Sequence, residues 1–217
     1  MPTLLHLDSA AAPEGQSISR TVTADFRAAW LELNPGGTVI YRDLAADPVP
    51  HLNFDGFTAS ATAPEDRSEA QKAAFSIRET LIDELERADA VVIGSPMYNF
   101  AVPAPLKAWL DNVIDVGRTA HTDTTKTLRT PVTVVTSRGG SYAPGTPMES
   151  HEHLIAHLES LLGFMMRMDP SFIVVDLTLA KTIPGMEHLI PIGDQSFAQA
   201  RLDAAQNARD ASARLVG

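Results

Sequence analysis

The sequence predicts an α/β fold: a doubly wound parallel sheet of five strands with helices on both faces. Three observations carry the prediction. Five short apolar runs, mostly β-branched, have the look of buried parallel strands. Segments with helical periodicity alternate with them along the chain. No Gly/Ser-rich or charged linker divides the 217 residues, so the chain reads as one domain over 1–217.

The first strand is Thr3-Leu4-Leu5-His6-Leu7-Asp8, which gives way to the small, turn-rich stretch from Ser9 to Gln16. Val22, Phe26, Ala29/Trp30 and Leu33 then recur at helical spacing until Asn34-Pro35-Gly36-Gly37, so the first helix begins between Ser17 and Ser19. Thr38 to Leu44 is the second strand. The stretch from Ala45 to about Glu65 has three prolines and no periodicity, and reads as a long surface excursion of the kind that walls a pocket or meets a second subunit. A helix over Ser68 to Ala88 leads into the third strand, Ala90-Val91-Val92-Ile93. Pro103 or Pro105 starts the next helix, whose apolar face is Leu106, Trp109/Leu110 and Val113/Ile114. The fourth strand is Val132 to Thr136. A helix from about Glu149 to Leu162 is expected to stop at Gly163, the fifth strand is Phe172 to Asp176, and Ser196 to Leu215 closes the chain as a helix.

Composition narrows the function. A formal net charge of −10 and a pI near 5.0 argue against nucleic-acid and anionic-membrane partners. The absence of cysteine removes disulfides, thiolate nucleophiles and Cys-ligated metals, so any redox chemistry needs a borrowed cofactor. With neither a leader-like N-terminus nor a bilayer-length apolar run, the expected location is the cytoplasm.

Three unusual loops follow strands one, three and four, and a doubly wound sheet gathers them on one edge. Ser9 with Ser17-Ile18-Ser19 offers hydroxyls and a helix N-terminus, which suit either capping or a phosphate. Pro96-Met97-Tyr98-Asn99-Phe100 offers a ring-sized platform, or a cover for the sheet edge. Ser137-Arg138-Gly139-Gly140 offers either a tight turn or backbone N–H groups for a ligand's polar edge. Phosphate, platform and N–H groups together are what a flavin mononucleotide requires. Competing signatures are thin. His151, His153 and His157 contain an i, i+4 pair but no His-Glu-x-x-His, so no metal site is expected; there is no P-loop, dinucleotide fingerprint or nucleophile elbow.

Taken in order, Ser9 with Ser17-Ile18-Ser19, Arg42-Asp43-Leu44, Pro96 to Phe100 leading into Pro103 and Leu106-Lys107, Thr136 to Gly140, and Leu161-Leu162-Gly163-Phe164 resemble the FMN-dependent NADH azoreductases, also described as NADH:quinone oxidoreductases. The resemblance spans nearly the whole chain and implies a flavodoxin-like sheet of order 2-1-3-4-5. It further implies that Ser9, Ser17 and Ser19 bind the FMN phosphate, that Met97 to Phe100 flank the isoalloxazine and ribityl, and that Ser137 to Gly140 meet the pyrimidine edge. The family is a homodimer with both subunits lining the pocket. Its ping-pong chemistry takes hydride from NADH or NADPH and passes it to flat acceptors: quinones, azo dyes or nitroaromatics. The chain departs from the pattern at Thr119-Ala120-His121-Thr122 and at Ser141-Tyr142, positions expected to face substrate. Tyr142 and His121 are candidate proton donors, and Arg118 and Arg138 candidate partners of an NADPH 2′-phosphate. The competing readings are a non-enzymatic flavodoxin-like electron carrier and a flavin-free α/β protein.

Overall fold

A computed structural model of the chain describes residues 1–120 and 129–215. Strands β1 (Thr3–Asp8), β2 (Thr38–Asp43), β3 (Ala90–Gly94), β4 (Pro131–Ser137) and β5 (Asp169–Val175) form an all-parallel sheet in the order β2-β1-β3-β4-β5. The chain runs outward from β1 to β2 and then crosses back to β3. The switch point therefore lies between β1 and β3, where ligands of open α/β sheets collect beyond the strands' carboxyl ends.

Alternation along each strand divides the core between two faces. Leu5, Leu7, Val91, Ile93, Val132 and Val134 pack on one side with Leu81, Ile82 and Leu85 of α3 (Glu69–Glu86) and Trp109 and Leu110 of α4 (Ala104–Val113). Between β2 and α3 lies the short helix α2 (Phe54–Ala59). On the other side Leu4, Val92 and Val135 meet Phe26 and Trp30 of α1 (Ile18–Leu33) and the stripe Ala200, Ala204 and Ala208 of the last helix, Ile190–Ala213. Small side chains four residues apart let that helix lie close against α1. Each fully buried large side chain such as Phe26 contributes about 1.5–3 kcal/mol.

The structure corrects four sequence expectations. The excursion between Ala45 and Glu65 contains α2 and a short 3-10 turn at Pro64–Asp66, with Asn53 Oδ1 capping α2 through Gly56 N–H at 2.8 Å. Gly163 does not end its helix. After a separate turn at Glu149–His151, α5 (Leu154–Leu158) widens into a π-helical segment at Glu159–Met165. Buried Leu154, Leu158, Leu162 and Met166 recur every four residues, a spacing that drifts around a 3.6-residue helix; widening the turn keeps all four on the core. The reversal comes instead at Arg167, at φ 56. Strand β5 starts earlier than expected, at Asp169, and tolerates Pro170 because it is an edge strand. The last helix, α6, starts at Ile190 because Pro191 fits a first helical turn.

Candidate functional site

The three loops converge beyond the carboxyl ends of β1, β3 and β4, and hydrogen bonds tie them together. Ala11 N–H donates to the Tyr98 hydroxyl at 3.1 Å, joining the first loop to the second, and Met97 N–H donates to the Ser137 carbonyl at 2.9 Å, joining the second to the third.

In the first loop, Gly15 at φ 80 closes a tight turn in which Gln16 N–H donates to the Pro13 carbonyl at 3.1 Å. Ser17 is the N-cap of α1: its Oγ accepts from Arg20 N–H at 3.4 Å and lies 3.2 Å from Ser19 Oγ. Both serines are buried. The first turn of α1 holds no acidic residue, although the protein is strongly anionic, and the N–H groups of Ile18 and Ser19 bond to no described residue. An anion is the partner such a terminus favours. Ser9 stands at the loop's mouth with its hydroxyl donated to the Gly94 carbonyl at 2.7 Å, so it braces the loop against β3.

In the second loop, Tyr98 and Ala101 exchange both backbone hydrogen bonds at 3.0 Å around Asn99 (φ 48) and Phe100 (φ 69). The two positive φ values are the sign pattern of a type I′ turn. Asn tolerates this conformation, whereas a bulky aromatic there is strained by roughly 1–3 kcal/mol. The strained turn lifts Phe100 out of the surface, where its ring centroid lies 6.3 Å from Tyr142 in edge contact and 5.3 Å from His151. Pro96 is buried beneath, and Met97 packs on the core.

In the third loop, Gly139 and Gly140 accept from Leu179 and Leu177 N–H groups at 3.3 and 3.2 Å, while their own N–H groups bond to no described residue. Their steric situations differ. A Cβ on Gly139 would meet Leu179 Cδ1 at 2.6 Å; one on Gly140 finds, among the described residues, only Tyr142 at 3.9 Å. The fold itself therefore has no need of glycine at 140, and an open approach to its N–H is the remaining reason for one. Ser95 and Thr136, at the adjoining strand ends, bury hydroxyls with no partner among the described residues. Hydroxyl and N–H donors at a helix N-terminus, an aromatic surface and unbonded N–H groups on one edge have the chemistry that FMN requires.

A scan against family models matches residues 2–188 to the flavodoxin-like fold family. A Streptomyces avermitilis protein named FMN-dependent NADH:quinone oxidoreductase is 51% identical over 216 residues, covering all of both chains. The chain belongs to this family. A Streptomyces coelicolor member of the same name is 50% identical, covering all of this chain and 98% of its own. Among solved structures, an azoreductase from Bacillus anthracis superposes with a TM-score of 0.83 at 22% identity, over 97% of this chain and all of its own. An FMN-dependent NADH-azoreductase from that organism, solved with FMN, gives 0.79 at 19% identity, over 96% of this chain and all of its own. At such identities these two show the fold.

For a family member, the buried polar cluster beside the first loop was the feature least visible in the sequence. His6, Asp8, Arg20 and Thr23 are all buried on the α1 face, and register places His6 against Tyr41 and Asp8 against Asp43. Tyr41 donates to Asp8 at 3.1 Å, Thr23 donates to it at 3.0 Å, and His6 Nε2 lies 3.3 Å away. Burial opposes the charge on Asp8, but His6, Thr23 and Arg20 together hold its carboxyl below the ordinary value. Burial, then the neighbouring Asp8, pushes Tyr41 up to about 12. A Cβ at Gly94 would lie 2.5 Å from Asp8 Oδ1, which explains that glycine.

Two candidate cations for a 2′-phosphate are already engaged. Arg138 is buried and donates to Asp176 at 2.6 Å, with Glu152 at 3.9 Å; Arg118 pairs with Glu86 and Asp83. His121 lies outside the described residues. Among those residues no cluster of His, Cys, Asp and Glu could hold a metal ion, and no helix is long and apolar enough to cross a membrane.

Proposed function

We propose that this protein is an FMN-dependent NADH:quinone oxidoreductase that also reduces aromatic azo compounds. The observation that carries this reading is the meeting of three loops at the sheet's switch point, each bringing what one part of FMN requires, in a chain half identical over its whole length to relatives so named. FMN, when bound, would supply two-electron hydride chemistry between NADH and a quinone or azo acceptor.

The chain's own residues bind and orient. The Ile18 and Ser19 N–H groups with the Ser17 and Ser19 hydroxyls hold the phosphate, and Ser9 fixes their loop. Pro96 to Phe100 flank the ring and the ribityl. The N–H groups of Gly139 and Gly140, with Ser137 and Arg138 behind them, meet the pyrimidine edge, where they favour the negative charge of the reduced ring. Phe100, Tyr142 and His151 form the aromatic wall on the acceptor side, and Tyr142 is the candidate to hand over the proton. With Arg118 and Arg138 paired to carboxylates, NADH is the expected reductant, and a cytoplasmic location belongs to the same reading.

The same reading includes a homodimer. A cleft of about 880 Å³ lies between α2 and the α4–α5 side, lined by Leu52, Phe57, Val116, Leu161 and Met165. Phe54, Phe57, Val116 and Phe164 expose between 68% and 78% of their surface, apolar area that a second copy would cover.

The test is the visible spectrum of the purified protein with FMN under anaerobic conditions. NADH bleaches the bound flavin, and a quinone restores it. A flavin that binds but resists NADH identifies an electron carrier instead, and a preparation that takes up no flavin overturns the reading.

A further inference from the structure

Arg20 occupies an unfavourable place unless it has a task. It is the third residue of α1, in the turn where the helix macrodipole disfavours a cation. Its guanidinium is buried and turned back beneath the first loop. One nitrogen, Nη2, donates to the Ala10 carbonyl at 2.8 Å and to Asp43 Oδ1 at 2.7 Å; the other, Nη1, donates to Asp43 Oδ2 at 2.8 Å and to the Tyr41 hydroxyl at 3.2 Å. Asp8 lies 3.8 Å away, and Asp43 also accepts from the N–H groups of Ala45 and Ala46 at 3.1 Å. One side chain thereby joins the ends of β1 and β2 to the loop between Ser9 and Ser17. Below it a small cavity of about 50 Å³ is lined by His6, Asp8, Tyr41 and the loop's own Glu14.

The geometry points to Arg20 as the positioning residue of the phosphate loop, and hence as the residue that sets the preference for FMN over riboflavin. This inference rests on the FMN reading above. Arg20 does not touch the phosphate: two carboxylates already engage its charge, and the Asp43 fork raises its own proton affinity further. Its action is to hold Ala10 down, so that the backbone from Ala10 to Ser19 presents its N–H groups and hydroxyls in one orientation. Fork geometry is essential, because two guanidinium nitrogens serve four acceptors on Ala10, Tyr41 and Asp43, whereas a lysine brings one nitrogen with three N–H groups.

The experiment compares FMN with riboflavin, which lacks the phosphate, by fluorescence titration of the full chain freed of flavin. In Arg20→Lys, which keeps the charge, the dissociation constant for FMN rises at least tenfold while that for riboflavin stays within twofold. Asp43→Asn, which leaves Arg20 and its bond to Ala10 in place, shifts the ratio in the same direction by a smaller factor and carries the test if Arg20→Lys does not fold. Equal weakening of both flavins would mean that Arg20 only supports the fold, and unchanged FMN binding would likewise overturn the inference. Wild-type protein that binds the two flavins equally removes the phosphate site itself, and with it the role of Arg20.

Discussion

The two ends of the site are built on opposite physical terms. At the proposed phosphate end, Ser17, Ser19, Asp8 and Arg20 are buried, and each takes part in hydrogen bonds of 2.7 to 3.4 Å, among themselves or with Ala10, Thr23, Tyr41 and Asp43. At the proposed acceptor end, Tyr98 and Phe100 are each 40% exposed, His151 is exposed, and the backbone of Phe100 is strained. A cofactor that stays needs a fixed frame, which buried, hydrogen-bonded side chains provide. Acceptors that come and go need an open aromatic face, and its strain is stored where few contacts relieve it.

Mutations can break this contrast at either end, ranked by their effect on the fold. Gly94→Ala drives a Cβ toward Asp8 Oδ1, 2.5 Å away, in the centre of the sheet; urea denaturation should show a loss of about 2 kcal/mol, the scale of overpacking in a closed core.

Acid should loosen the same end. Because Asp8 titrates below its ordinary value in the folded state, the unfolded chain binds the proton first as pH falls. The contribution of Asp8 is therefore fully present above about pH 4 and lost below it as pH passes through the folded value. Asp43, held low chiefly by its bonds from Arg20, adds in the same direction. Asp8→Asn should flatten the acid limb of a stability-against-pH curve; an unchanged slope would remove Asp8 from the account.

The acceptor end should respond in reverse. Phe100→Gly relieves the positive φ and should raise stability by about 1 kcal/mol while raising the KM for quinone, a gain in folding matched by a loss in recognition. Thermal melts and steady-state kinetics on one preparation would decide it; a less stable variant would show that the ring's contacts with Tyr142 and His151 outweigh the strain.

The same contrast governs what could be read from the sequence. The five strands were legible because β-branched apolar runs such as Ala90 to Ile93 have few alternative uses, and the three loops because serine, proline and glycine clusters mark strand ends. Ser17 declared itself as a cap. Arg20 and Asp43 did not declare each other: they lie on different elements, and only the parallel register that sets Asp8 beside Asp43 brings two carboxylates to one guanidinium. Asn99 signals a left-handed turn, but nothing in a phenylalanine does, so the strain at Phe100 was invisible. Gly163 looked like a helix stop because a π-helical turn has no residue signature; the four-residue repeat from Leu154 to Met166 was the available clue.

Gly140 separates cofactor from fold most sharply, since among the described residues a Cβ there would meet only Tyr142, at 3.9 Å. The decisive measurement is the FMN dissociation constant of Gly140→Val beside its urea midpoint. The account predicts an unfolding free energy within about 0.5 kcal/mol of wild type, the range of substitutions that meet no packed feature, together with FMN binding weakened at least tenfold. Wild-type affinity for FMN in this variant would contradict the placement of the flavin against the third loop.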